Sequence, residues 1–372
     1  MDSTRILIIG AGLAGVATAY RLASLGETDA LVIEKEVVPG MHSSGRSAAM
    51  IRQVVPDKDI LPLARDGARF FHDQTQQWDD PVLFIKNGSL LLAHGEKWRS
   101  LQAEAELAGS QGIEYEVWNS RQVVNRVPCT SGGDFQSGIW CPGDGVTDTD
   151  RLLHGLYRQA HSAGVRMRTG LAVRKIEVSG GKIRGVETQE GFIRSEIVVN
   201  AAGAWAGELG NLAGALPIEH QPFRRHLYYT GELEWVDPRW PFVWDVSHDV
   251  YFRPESAGLL LSPCDESRSL PEIPAVDPQM EDLLAEKITV SFPRLIEVPI
   301  SKTWAGLRTF APDRRFVIGW DPKVDGFYWV SSLGGHGVTT CAAVGELAAR
   351  ELLDKNRRSD SPFAPARFEP AF

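Results

Sequence analysis

Cysteine is scarce: Cys129, Cys141, Cys264 and Cys341 are the only four in 372 residues, and no two stand in CxxC spacing. That density rules against a disulfide-stapled secreted domain and that spacing against a zinc knuckle. The four therefore read as buried free thiols in a reducing compartment, and no metal site is expected. No run of 18 uninterrupted apolar residues occurs, so no transmembrane helix is expected. Basic blocks are missing too. With 39 Lys and Arg against 48 Asp and Glu the net charge is -9, and a chain without a positive face is a poor partner for nucleic acid.

What is present is well mixed, 43% hydrophobic and 23% charged, and long enough for two packed domains. Arg5, the apolar run from Ile6 and Ala17-Thr18-Ala19 imitate a secretory signal, but Gly10, Gly12 and Gly15 interrupt the run. Cytoplasmic residence is expected, with peripheral attachment to an inner membrane as its variant.

Those glycines have a mechanical use. Arg5 to Ile9 reads as a buried strand, Ala14 to Leu25 as a helix ending at Gly26, and Ala30 to Ile33 as a second strand. Gly10-Ala11-Gly12-Leu13-Ala14-Gly15 lies between the first strand and the helix, where a tight turn lets a pyrophosphate approach the helix N-terminus. Glu34 closes the second strand, placed to accept hydrogen bonds from an adenosine ribose, and Lys35 follows it. The unit binds a dinucleotide, and the choice between NAD and FAD falls to three further segments. Pro39 to Ala49 is a small-residue loop expected to run into a helix, with Arg46 beside phosphate or ring edge. Asn200 to Trp205 follows a strand over Glu196 to Asn200 and passes Ala202 and Gly203 close beneath a nucleotide. Leu333 to Thr340 follows a strand over Gly326 to Ser331 and aims the start of a helix at an anion such as reduced flavin. Elsewhere, Pro238 to Phe252 and Gly258 to Pro263 have the spacing of antiparallel strands, Trp98 to Ala108 is helical, and Asn356 to Phe372 reads as a surface strap. No internal repeat is present.

Together with Thr147-Asp148-Thr149-Asp150 and Thr303-Trp304-Ala305-Gly306-Leu307-Arg308, these segments resemble the D-amino-acid oxidase superfamily, with the nearest likeness to its bacterial D-arginine dehydrogenases. The resemblance implies an α/β plus α+β fold: a Rossmann-type FAD domain from 1–85, 141–220 and 301–372, and a discontinuous antiparallel-sheet substrate domain from 86–140 and 221–300. FAD is implied against Gly10, Gly12, Ala14, Gly15, Glu34, Lys35, the loop Ser43, Ser44, Gly45, Arg46, Ser47, Ala48 and Ala49, then Val173, Ala202, Gly203 and Trp205. The last loop adds Gly334, Gly335, His336, Gly337, Val338 and Thr339. Arg308 matches the arginine that grips the substrate carboxylate, joined by Tyr251 and Arg225, while His336 and Gly335 border the reacting end.

Departures from the family pattern shape the expected chemistry. Met50 and Val55 replace a histidine and a tyrosine of the arginine enzymes, and Gly88 takes the place of their side-chain-binding glutamate. A small, neutral D-amino acid is therefore the expected substrate, oxidised by hydride transfer to an imino acid. The alternatives are a 2-hydroxy acid, an N-methyl amino acid, or a flavin-bearing relay subunit. Gly306 stands where sarcosine oxidases carry their flavin-linking cysteine, so FAD is expected to be non-covalent. Leu260 stands at their oxygen-activating lysine, which leans toward a dehydrogenase. Oxygen, a quinone and a partner protein all remain as acceptors.

Overall fold

The computed structural model describes residues 2–357 and 359–370; Met1 and, within the expected C-terminal strap, Arg358, Ala371 and Phe372 lie outside them. Asp2–Ile9 runs inside an eight-stranded sheet, parallel to Ala30–Ile33 on one side and Gly191–Asn200 on the other. Its side chains alternate between two cores. Ile6 and Ile8 pack with the helices Leu13–Ser24, Thr149–Ser162 and Gly337–Leu353, while Leu7 and Ile9 pack with Ala206–Ala213 beneath the opposite face. A strand covered on both faces needs this unbroken apolar run.

Phe327–Ser331 pairs in parallel with the end of Gly191–Asn200, through Val198, Val199 and Asn200. Three neighbouring parallel strands thus end at Ile9, Asn200 and Ser331, and the three glycine-bearing turns emerge side by side. This is the crevice at the carboxyl ends of the strands where open α/β sheets bind ligands. Helix Gly337–Leu353 lies close against Leu13–Ser24 because Gly345 has no side chain: a Cβ there would stand 2.6 Å from the Ala17 carbonyl oxygen.

The second sheet has nine strands, antiparallel except where Ser89–Ala93 meets Phe242–Asp245. Lys302–Phe310 falls inside the 301–372 segment read as FAD domain, yet it pairs along its length with Gln221–Tyr229, from Gln221↔Phe310 to Tyr229↔Lys302, and is a strand of this sheet. A correction concerns the loop from Pro39. It does not run into a helix: single turns close at Gly45 and Arg46, Ala49 adopts φ 56°, and the chain continues as the strand Met50–Ile51 against Gly145–Thr147. The left-handed Ala49 ends any helical path. The four cysteines are free and buried, and no helix among the described residues is long and apolar enough to cross a membrane.

Candidate active site

The turn after the first strand closes only with glycine. Gly10 adopts φ 109°, where a Cβ would lie 2.5 Å from the Ala201 carbonyl oxygen, and a Cβ on Gly15 would lie 2.0 Å from that of Gly10. Gly15 and Gly45 shape the chain and do not line the cleft; a Cβ on Gly45 would meet the Gly40 oxygen at 2.7 Å. Between the three turns runs one cleft, formed by two cavities that share Gly12, Ser43, Ser44, Ala201 and Gly203.

At its outer end stand Gly10, Glu34, Lys35, Val173, Ala202 and Trp205. Glu34 accepts the amides of Ala11 at 2.8 Å and Glu36 at 2.9 Å, which fixes its carboxylate at the rim. The Lys35 ammonium sits 3.2 Å from the centroid of Trp205, and the His42 ring, held by Glu36 at 2.9 Å, packs 4.5 Å from the same indole. Farther in, the cleft is lined by Ala14, Arg46, Ser47, Ala48, Ala49, Gly334, Gly335, Gly337 and Val338. Two long helices start here, at Leu13 and Gly337, neither with an acidic residue in its first turn. Their positive ends face the cleft, and an anionic cofactor is favoured. Gly306 also borders it, and a Cβ there would meet the Arg46 oxygen at 2.9 Å, so no linking side chain fits. A carboxylate at one end, helix starts in the middle and small residues throughout fit a flavin dinucleotide.

Beyond the inner end opens a cavity between the two sheets, bordered by Arg225, Arg308, Gly335, His336, Thr339 and Arg52. Sheet register brings the first two together: Arg225 pairs with Gly306, and Arg308 follows two residues along the same face. Arg225 spends one nitrogen on Glu266 at 3.2 Å and keeps its buried Nε and Nη1 without partners. Arg308 forms no ion pair among the described residues, and burial, then the charge of Arg225, lowers its proton affinity. Gly335 faces it; a Cβ at 335 would lie 3.5 Å from Arg308 Nε.

Tyr251 and His336 stand differently from the expectation. Tyr251 is fully buried in a cluster with Ala48, Leu227 and Leu260 and does not border the cavity, though its hydroxyl, beside Arg308, has no well-formed hydrogen bond. His336 and Thr339 border the cavity between the sheets and not the cleft. Burial and the charges of Arg52 and Arg308 push His336 down to about 3, so its imidazole is neutral. Gly88, at φ 77°, lies away from the cavity, its Cβ position filled by the ring of Trp140 at 2.1 Å. An acid at 88 would have nowhere to point.

Arg52 was not legible as a site residue. Its guanidinium lies 4.7 Å from the centroid of Trp244, and it donates only Nε, to the Val54 oxygen at 2.8 Å. Glu104, raised by burial, faces it without an ion pair among the described residues. The signal available was its position shortly after the Arg46 to Ala49 loop.

A family model described as "FAD dependent oxidoreductase" (DAO) matches residues 5–351. The chain belongs to this family. Among curated proteins, it is 25% identical to 4-methylaminobutanoate oxidase (formaldehyde-forming) of Paenarthrobacter nicotinovorans, over 96% of this chain and 44% of that one. It is 24% identical to mitochondrial dimethylglycine dehydrogenase of Homo sapiens, over 99% and 44%. The chain thus spans less than half the length of these two relatives. Among solved structures, L-proline dehydrogenase from P. horikoshii superposes with a TM-score of 0.89 at 24% identity, covering 99% of this chain and 98% of that one. Glycine oxidase from Geobacillus kaustophilus gives 0.83 at 19%, covering 98% of each. At these identities the two structures speak for the shared fold.

Proposed function

We propose that the flavoprotein oxidises the carbon–nitrogen bond beside the carboxylate of a small amino acid. The observation that carries this reading is Arg308, a guanidinium without a carboxylate partner among the described residues, bordering both the cofactor cleft and the substrate cavity. Such a group holds a carboxylate in a two-pronged grip, and the free Nε and Nη1 of Arg225 add donors beside it. With the carboxylate fixed there, the carbon bearing the amine is presented to the cleft, and its reaction becomes effectively unimolecular. Bound FAD supplies the hydride acceptor.

His336 separates this reading from 2-hydroxy-acid oxidation, which needs a base for the hydroxyl proton. An imidazole held near 3 is a weak base, whereas an amine that arrives neutral needs none. The relay-subunit reading leaves the two arginines without a purpose. For the substrate itself, the motif likeness to D-arginine dehydrogenases implies a D-amino acid, and the charges of Arg52 and Arg225 beside Arg308 in the cavity favour a neutral side chain over a cationic one. An N-methylated or cyclic secondary amino acid is the second reading, favoured by the names of the relatives. Leu260, fully buried among apolar neighbours, supports a quinone or protein acceptor over oxygen, and the buried free thiols support a cytoplasmic setting.

The test is anaerobic bleaching of the flavin by a panel of D- and L-amino acids, N-methyl amino acids, proline and 2-hydroxy acids. Bleaching by primary D-amino acids selects the first substrate reading, and bleaching by N-methyl amino acids or proline selects the second. Bleaching by hydroxy acids alone, or by none of them, overturns the proposal.

A further inference from the structure

We propose that His94, Asp134 and His248 form a zinc(II) site behind the segments that border the substrate cavity, distant in sequence from every residue of the cofactor cleft. Three segments of the second sheet supply them. His94 caps the helix Gly95–Ser110, Asp134 stands in the loop before Ser137–Cys141, and His248 in the turn between Phe242–Asp245 and Val250–Glu255. Asp134 Oδ2 lies 3.8 Å from His94 Nε2 and 3.9 Å from His248 Nε2, and one ligand atom of each residue lies within 4.8 Å of the others. These gaps are too long for hydrogen bonds, which would draw the nitrogens about 1 Å closer. They suit a cation. With zinc bonds of roughly 2.0–2.2 Å, neighbouring ligands stand about 3.4 Å apart, so side-chain rotations that close the two Asp134 gaps by about 0.5 Å, and the gap between the imidazoles by at most about 1.4 Å, complete the set.

The histidines are already held for this task. Asp245, buried, takes His248 Nδ1 at 2.8 Å on one oxygen and the amides of Ser247 and His248 at 2.9 and 3.3 Å on the other. A carboxylate has no proton to give, so the imidazole proton sits on Nδ1 and Nε2 turns its lone pair toward Asp134. This carboxylate–histidine pairing is how proteins orient metal-binding imidazoles. The same turn positions the second ring: Ser247 Oγ accepts the His94 amide at 3.0 Å, and the two rings stack with centroids 5.2 Å apart at 28°. Asp134 is anchored through its amide to the Val290 oxygen at 3.0 Å.

Two imidazoles and a carboxylate, with no thiolate, select a borderline cation such as zinc and leave a fourth position to water. The placement gives the ion a mechanical role. Val246 and Asp249, on either side of His248, and Lys97 and Glu104, on the helix that His94 begins, all border the substrate cavity. Zinc ties that turn to that helix and stiffens the outer wall.

The experiment titrates metal-stripped holoenzyme, with FAD retained, with zinc chloride against a competing fluorescent chelator. We expect one equivalent per chain at micromolar affinity or tighter, a higher Tm, and a zinc-edge absorption spectrum with nitrogen and oxygen neighbours only. His248→Ala and, separately, the exposed Asp134→Asn weaken binding roughly 100-fold, and Asp245→Asn about tenfold, with flavin content unchanged. Undiminished affinity in both ligand variants, a sulfur neighbour in the spectrum, or no binding at about 100 µM zinc overturns the site.

Discussion

The cofactor cleft and the substrate cavity meet at Arg308, yet they are built from opposite materials. The cleft is made of backbone: three turns at the ends of adjacent parallel strands, with glycine where any side chain would collide and helix starts supplying the polarity. The cavity is made of long side chains, with Arg52, Arg225 and Arg308 arriving from separate segments and held in place by packing and by partial pairing. A backbone site tolerates almost no substitution at its glycines but depends little on surrounding charge. A side-chain site can be retuned one residue at a time, at the cost of stability wherever a charge is buried without a partner.

The largest expected effect breaks the backbone half. In Gly10→Ala the added Cβ falls 2.5 Å from the Ala201 oxygen at a φ of 109°. A strain of roughly 2–3 kcal/mol should leave most of the purified protein without flavin, read from its visible spectrum. Next comes the junction. Arg308→Met should keep its flavin and lose about 10³-fold in kcat/KM, the scale of removing a charged partner from a substrate carboxylate, while the flavin-to-protein ratio stays at the parent value. Full activity in that variant would remove Arg308 from the substrate site. Farther out, Arg52→Met should raise KM about tenfold with kcat within about twofold, because Arg52 stands away from the cofactor cleft. An unchanged KM would make Arg52 a packing residue against Trp244.

The smallest effect concerns acid stability. Folding lowers the pKa of His336 from its ordinary 6.5 to about 3, so between those values the unfolded chain binds the extra proton. Stability contributed by keeping the imidazole neutral is therefore present above 6.5 and is lost as the pH falls toward 3. His336→Gln should lose less stability than the parent between pH 6.5 and 4 in urea titrations. Equal losses would mean that another group, such as His220, which burial pushes down to about 4, dominates that window.

The two halves were also unequally legible in the sequence. Each cleft segment is local: strand, glycine turn and helix occur within a few residues, so Gly10, Glu34, Gly203 and Gly334 could be placed from spacing alone. Even there the loop from Pro39 misled, because small residues are compatible with a helix start and only the left-handed Ala49 shows that the chain turns instead. Helix Thr149–Ser162 carried a readable start, the Asp148 side chain accepting the amides of Asp150 and Arg151, but those residues were used only as a family motif. In the cavity, Arg308, Arg225 and Tyr251 came from resemblance; Gly88 lies off its wall, and the buried Tyr251 places its hydroxyl beside Arg308.

What the sequence determined by itself is the dinucleotide crevice, since hydrophobic runs, glycine geometry and a terminal carboxylate are short-range requirements that leave few alternatives. What only the tertiary structure decided is which charges share the cavity. Strand pairing sets Arg225 and Arg308 on one face, Arg52 reaches them from the far side of the cofactor loop, and His94 and His248 meet across a turn. Side chains far apart along the chain become neighbours only through sheet register and packing, and a shift of one residue in the pairing of Gln221–Tyr229 with Lys302–Phe310 would turn Arg225 or Arg308 to the other face.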